Sequence, residues 1–340
     1  MNFEEKTLKI TAYSVEYSEE KPSIAELLEM ARLRRATPLQ FLPSELDKVD
    51  TGWTSGRLEL DTELQPDNCM IGDYLYLTLR SACRKINAEL LKVTIRQKCA
   101  DYLKNNVADY VPSKVRKELK EEAIQMLEPR AALCISNIPV VFCPNGTVYA
   151  GAATNGELDL LAEYFSKTFG AALVPVDAAA LIGERGKDIN GTTGREFLTW
   201  LLWRTEIDRQ VPYMMDAPFD FVSPDDEKCN QATAKGGQVA NSAEVRAALN
   251  AGKALRKAKF TLHGTEKRDI WTFTLNGDNF AFTGLKLPES EAMDAVGIFQ
   301  ERIDLLDELF DWLKAAFELF WEQFDGGDYD LQKKQWLNLR

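Results

Sequence analysis

The chain changes its hydrophobic period several times, and each change marks an element. Thr7 to Tyr17 (TLKITAYSVEY) alternates apolar and polar positions as a half-buried strand does. Pro22-Ser23 then opens a helical stretch carrying Ile24, Leu27, Leu28 and Ala31. Tyr74 to Leu79 (YLYLTL) reads as a second strand, and residues from about Val93 to Asn105 and from Ser113 to Leu127 read as two helices separated by Tyr110-Val111-Pro112. In the second helix Val115, Leu119, Ala123 and Met126 form the expected buried stripe, with Arg116, Lys117 and Lys120 on an adjoining arc. Cys134 to Phe142, the turn Pro144-Asn145-Gly146 and Thr147 to Ala152 predict a hairpin. A helix from about Glu157 to Thr168 and a short strand at Ala172 to Val176 complete an α+β unit.

The second half repeats the mixture. Gly183 to Gly194 is a glycine-rich loop leading into a helix over Glu196 to Thr205. It is not a phosphate-binding P-loop, because Lys187 is followed by Asp188 and the first required glycine falls on Leu181. Pro218 to Gly237 is polar and reads as irregular, and Ser242 to Gly252 reads as a short helix with a serine cap and a glycine stop. Ala254 to His263, Ile270 to Leu275 and Phe280 to Leu285 predict an antiparallel three-stranded meander. Phe299, Ile303, Leu306, Phe310, Leu313, Phe317, Phe320 and Phe324 alternate spacings of four and three along one long helix, to be laid across a sheet or used as a dimer seam. A polar tail follows it.

With 340 residues, 45% of them apolar, the chain can build two or three packed units. No stretch approaches the length of uncharged apolar chain that a membrane span needs, and Met1 to Ile10 has no apolar run, so the expected location is cytoplasmic with no membrane partner. Six cysteines (Cys69, Cys83, Cys99, Cys134, Cys143, Cys229) lie far apart without a CxxC pair, which argues for buried free thiols instead of a zinc site or disulfide framework. A single histidine, His263, restricts imidazole-based catalysis to one residue. No cofactor is implied.

The formal net charge of −12 alone argues against a nucleic-acid partner, but the charge is segregated. Between Arg80 and Arg130 twelve Lys and Arg face seven Asp and Glu, and between Gln231 and Arg268 eight face two. The remainder is correspondingly more acidic. Such separation lets a basic surface exist on an acidic, soluble protein.

In the order of its elements the sequence resembles the RdgC family of bacterial recombination-associated proteins. The likeness rests on Gly52-Trp53, the strand and helix from Tyr74 to Leu103, and the basic helix that runs into Leu127-Glu128-Pro129-Arg130-Ala131. It continues with the hairpin around Asn145-Gly146, the Gly236-Gly237 turn, Ala251-Gly252-Lys253 and the long C-terminal helix. The resemblance implies an α+β, horseshoe-shaped, multi-lobed subunit with mostly antiparallel sheets, a protruding helical segment and a long C-terminal helix. Its parts would be a central domain (1–90 and 131–180), a basic helical segment (91–130), a second lobe with the meander (181–290), the long helix (291–326) and a polar tail (327–340). It further implies a ring-shaped homodimer around double-stranded DNA, bound without sequence preference, associated with the nucleoid and restraining the RecA recombinase. Arg116, Lys117, Lys120, Arg130, Lys253, Arg256, Lys257 and Lys259 are then the expected phosphate contacts. Ala132 stands where the family often has an aromatic, and the loop after Gly236-Gly237 is shorter and lacks the family's lysine pair.

Two other function classes fit parts of the sequence. Asp225, Asp226 and Lys228 (PDDEK) bear a weak likeness to the metal-binding acids and lysine of some nucleases, but the run sits in a Pro-flanked polar loop and ordinary turn chemistry is much the better account of it. An acidic protein-binding module acting on a recombination enzyme would use the C-terminal helix, with Asp307, Glu308, Asp311, Trp312, Glu318, Trp321 and Glu322.

Overall fold

The computed structural model describes the chain except for residues 1, 2, 4, 19, 43, 44, 107, 186–191, 209, 224, 225, 237–241, 265–268, 339 and 340, and the side chains of 226–229. Strand β1 (Leu8–Tyr17) organises it. Helix α1 (Ile24–Leu33) follows, started by a capping box in which the Ser23 side chain and Glu26 satisfy each other's main-chain N–H groups. Next come β2 (Asp50–Ser55), the short α2 (Pro66–Cys69), β3 (Met70–Ile71) and β4 (Tyr74–Lys85). A pair of helices, α3 (Ala88–Asn106) and α4 (Ser113–Leu127), separates β4 from β5 (Ala132–Phe142). The first unit closes with β6 (Val148–Ala150), α5 (Asn155–Phe169), β7 (Ala171–Pro175) and α6 (Ala178–Ile182). The second contains α7 (Thr193–Ile207), β8 (Tyr213–Ser223), β9 (Asp226–Ala234), α8 (Ala243–Asn250), β10 (Ala254–His263), β11 (Ile270–Asn276) and β12 (Phe282–Lys286). Helices α9 (Ala295–Asp325) and α10 (Asp328–Asn338) end the described chain.

Among the described residues twelve strands form one open sheet in the order β2-β4-β5-β6-β1-β12-β11-β10-β8-β9, with β3 added to β4 and β7 to β1. The named strands pair antiparallel, so the fold is α+β with a predominantly antiparallel sheet, as the sequence indicated. The two halves of the sequence meet in β1. Its Leu8 to Ile10 pair with β12, while Thr11 to Tyr13 pair with β6.

Two apolar clusters form, one within the first half and one that joins residues of both halves. In the first, Trp53, Leu75, Leu77, Leu79, Ile138 and Val140 pack beneath α1 and α5. The second gathers α7, the meander and α9, whose Phe299, Ile303, Leu306, Phe310, Leu313, Phe317 and Phe320 are buried. Spacings of four and three therefore served a helix laid on a sheet. Helix α7 is buried almost all round, and Gly194 is required there. A Cβ on it would lie 2.1 Å from the Gly277 carbonyl oxygen.

Four expectations change. Pro218 to Gly237 is mostly not irregular, since Tyr213–Ser223 and Asp226–Ala234 pair as a hairpin at the sheet's edge. A solvent-facing edge strand needs little apolar alternation, which is why DEKCNQATA gave no strand signal. The residues after Gly327 are not a free polar tail. Helix α10 buries Tyr329 and Trp336 against α7 and α8, where Trp336 Nε1 donates to Glu206 at 2.7 Å and Tyr329 OH donates to Glu196 at 2.7 Å. In α4, Met126 is 60% exposed and Leu127 is buried in its stead. The thiols are also less uniform than expected, with Cys69 and Cys143 buried, Cys83 and Cys99 half-buried and Cys134 exposed, while the side chain of Cys229 lies outside the described residues.

A polar staple at the start of α5 has a measurable consequence. Partial burial acts to raise the Glu157 carboxyl, but the Lys9 ammonium and the N–H groups of Ala153 and Thr154 outweigh it and hold the carboxyl below its usual range. A depressed carboxyl stabilises the fold above its unfolded pKa of about 4.3, and that contribution is lost as pH falls through the folded value. Glu157→Gln is therefore expected to lower the melting temperature at pH 7 and to approach the wild type below pH of about 4. A difference in melting temperature that stays constant with pH would contradict this.

Candidate nucleic-acid interface

Strands β4 and β5 stay in register from Leu75 opposite Phe142 to Lys85 opposite Ala132, and α3 and α4 form the connection at their far end. The two helices make an arm with little burial: none of α3 is buried, and in α4 only Ala123 and Leu127 are. Lys98 and Glu122 tie them together at 2.8 Å. Arg116, Lys117 and Lys120 are exposed on α4. Arg116 and Lys120 are one turn apart, and the same line of the helix continues to Ala123 and Leu127. Arg130 is exposed on the 3-10 turn Glu128–Arg130 that leads back into the sheet. These four share the arm and its root.

The other four lie around β10. Lys257 and Lys259 follow the strand's alternation onto the face opposite buried Ala258, Phe260 and Leu262. Lys257 stands opposite Asp220 of β8 and Asn276 of β11, and Lys259 opposite Asp216 and Thr274. Asp220 also accepts a hydrogen bond from Thr233 at 2.9 Å. The two lysines thus have carboxylates as cross-strand neighbours, which moderates their local potential. Arg256 is set apart from them. Two residues along β10, from Leu255 to Lys257, match one along β8, so Arg256 occupies a bulge, half-buried, with its Nε enclosed and without a hydrogen-bond partner. Lys253 is half-buried just after Gly252, whose φ of +79° ends α8, and its N–H donates to the Ala248 carbonyl at 3.1 Å.

Across the sheet order β5 and β10 are five strand intervals apart, about 24 Å at 4.8 Å each. One subunit therefore holds two basic groups, not one patch. None of the eight residues forms an ion pair among the described residues.

Two further cations alter the inventory. Lys286 is exposed on β12 opposite Thr272, on the same face as Lys259; strict alternation from buried Phe282 would have placed it inside, and the register shift between Thr272 and Thr274 turns it outward. Arg80, counted with the basic segment, is fully buried in β4. One of its amino groups donates to the Thr37 carbonyl, burial lowers its pKa, and Asp50 opposes that shift. It contributes nothing to a surface.

Asp225 lies outside the described residues, as do the side chains of Asp226 and Lys228, and the main chain at Asp226 begins β9. Among the described residues no group of three or more His, Cys, Asp or Glu could hold a metal ion. His263 is exposed at the end of β10, opposite Ile270. On α9, Trp321 is buried and Trp312 packs edge-on to Tyr213 and Phe260, while Asp307 accepts the Tyr149 hydroxyl and Glu318 pairs with Arg185. Much of that helix's acidic and aromatic character is spent inside the subunit. No helix among the described residues is long and apolar enough to cross a membrane.

No family model and no curated protein matches the chain.

Proposed function

We propose that this chain is a DNA-binding protein of the RdgC type, in which two horseshoe-shaped copies close around double-stranded DNA, hold it without reading base sequence, and restrain a RecA-type recombinase at the nucleoid. The observation that carries this reading is the set of cations on the arm. Arg116, Lys117, Lys120 and Arg130 are exposed and unpaired among the described residues of a chain whose net charge is −12. An acidic protein that leaves such a group out of ion pairs, even with Glu118, Glu121 and Glu122 on the same helix, has a surface suited to an external polyanion. Phosphates along a duplex are that polyanion, and flexible lysines and arginines on a helix neutralise them without a base code.

The separation of the arm from Lys253, Lys257 and Lys259 favours enclosure over a single flat contact. Two copies arranged about one axis bring four basic groups around a common centre, and a closed ring slows dissociation by topology. Affinity for a short blunt duplex, followed by fluorescence anisotropy over a salt series, tests the electrostatic part. Each phosphate contact adds about −0.9 to the log–log slope, so contacts from two arms predict a slope steeper than about −6. A flat salt response, or no complex at low salt, contradicts the reading.

A further inference from the structure

Past Tyr13, strand β1 has a neighbouring strand on one side only among the described residues. Its ladder with β6 covers Thr11 to Tyr13, whereas pairing with β7 runs on to Tyr17. The Val176 N–H donates to the Ala12 carbonyl at 2.9 Å on the β7 side, and Pro175, which has no N–H, stands opposite Tyr13. Main-chain groups of successive residues point to opposite edges of a strand, so Tyr13, Val15 and Tyr17 aim theirs away from β7. Val148 meets Tyr13 there, and the ladder offers nothing to Val15 or Tyr17. Strand β6 stops short because its hairpin closes, with the Cys143 N–H donating to the Thr147 carbonyl at 2.9 Å and the Thr147 N–H to Asn145 Oδ1 at 2.9 Å.

This bare edge runs between two cavities. The larger, 660 Å³, lies against α6 and α9 and is lined by Ser14, Tyr149, Leu181 and Phe310. The smaller, 340 Å³, lies against α1 and is lined by Ile24, Leu27, Met70 and Phe142. Tyr17, Lys21, Gly146 and Thr147 border both. An extended segment laid beside Val15 and Tyr17 sends successive side chains alternately into one cavity and the other.

The charges select the occupant. Although the chain is strongly acidic, Lys21 and Lys314 line the larger cavity and no carboxylate does. Lys21 has no ion pair among the described residues, and Lys314 has a long one, 3.4 Å to exposed Asp311. The smaller cavity is largely apolar, with Asp73 as its carboxylate. We propose that this edge accepts an extended peptide of another protein as an added strand, its acidic side chains entering the larger cavity and its apolar ones the smaller. The inference is independent of DNA binding.

The test is titration of the full chain with a synthetic hexapeptide alternating glutamate and valine, with its N-methylated counterpart, and with the lysine-for-glutamate version. The acidic peptide is expected to bind and to protect the Val15 and Tyr17 amides from hydrogen exchange. Blocking the peptide's N–H groups is expected to weaken binding about tenfold or more, the worth of one or two lost hydrogen bonds. Lys21→Glu is expected to weaken it about fivefold. Val15→Pro removes a main-chain donor at the edge, and if that variant fails to fold, the N-methylated peptide carries the same test on unaltered protein. No binding, equal binding of the N-methylated or lysine peptide, indifference to Lys21→Glu, or protection confined to other residues overturns the proposal.

Discussion

Reversing two charges on the arm, Arg116→Glu with Lys120→Glu, is expected to reduce duplex affinity by roughly 10³-fold at 0.15 M salt while leaving the fold intact. Both side chains are exposed and unpaired among the described residues, so their removal breaks no described contact. In a dimer the pair of substitutions removes four phosphate contacts, which flattens the log–log salt slope by about 3.6 and gives that loss if the salt-independent part of binding is unchanged. Lys257→Glu is expected to do less, since Asp220 opposite already offsets that lysine. Anisotropy with circular dichroism on the same samples separates lost binding from lost structure. An unchanged slope for the double variant places the arm outside the interface.

A large stability effect is expected at Trp336. Its side chain is 2% exposed, its Nε1–H donates to Glu206, and the Arg246 guanidinium lies 5.9 Å from its ring centre. Glu206 also accepts from Arg246 at 2.7 Å, so the indole is one of two donors on a mostly buried carboxylate. Trp336→Ala combines a cavity with a missing donor, and truncations of this kind cost about 3 to 5 kcal/mol. Urea unfolding at neutral pH measures it. Leu331, 60% exposed on the same helix, serves as the control, and its alanine variant is expected to stay within about 0.5 kcal/mol of the wild type. Equal, small effects at both positions would mean that α10 is not docked in solution.

These two regions also show what can be read from the sequence. Periodicity was decisive for the elements: Ser113–Leu127 and the Phe299 to Phe320 ladder were legible as helices, although the pattern left open whether a sheet or a second copy covers the long one and put Met126 in place of Leu127 in the stripe of α4. Trp336 was not, because α10 is short and polar and its two anchors, Tyr329 and Trp336, are seven residues apart among charged neighbours. Strand β9 was missed for the related reason that a solvated edge owes its pairing to main-chain hydrogen bonds, which leave little trace in side-chain pattern. At the candidate interface, the helical pattern put Arg116, Lys117 and Lys120 beside the apolar stripe of their helix, Arg130 was singled out only by the resemblance, and the charge count marked the basic segments as a whole. It could not foresee that Arg80 points inside, that a bulge displaces Arg256, or that Asp216 and Asp220 stand beside Lys259 and Lys257. Those depend on register, and register is a property of pairs of strands.

Encirclement by a dimer is the central claim, and sedimentation of the full chain with and without a short duplex addresses it most directly. Two chains on one duplex are expected at low salt, in a complex that outlasts challenge on closed circular DNA while slipping from linear DNA through its ends. A single chain per duplex, or equal lifetimes on circular and linear DNA, would contradict it.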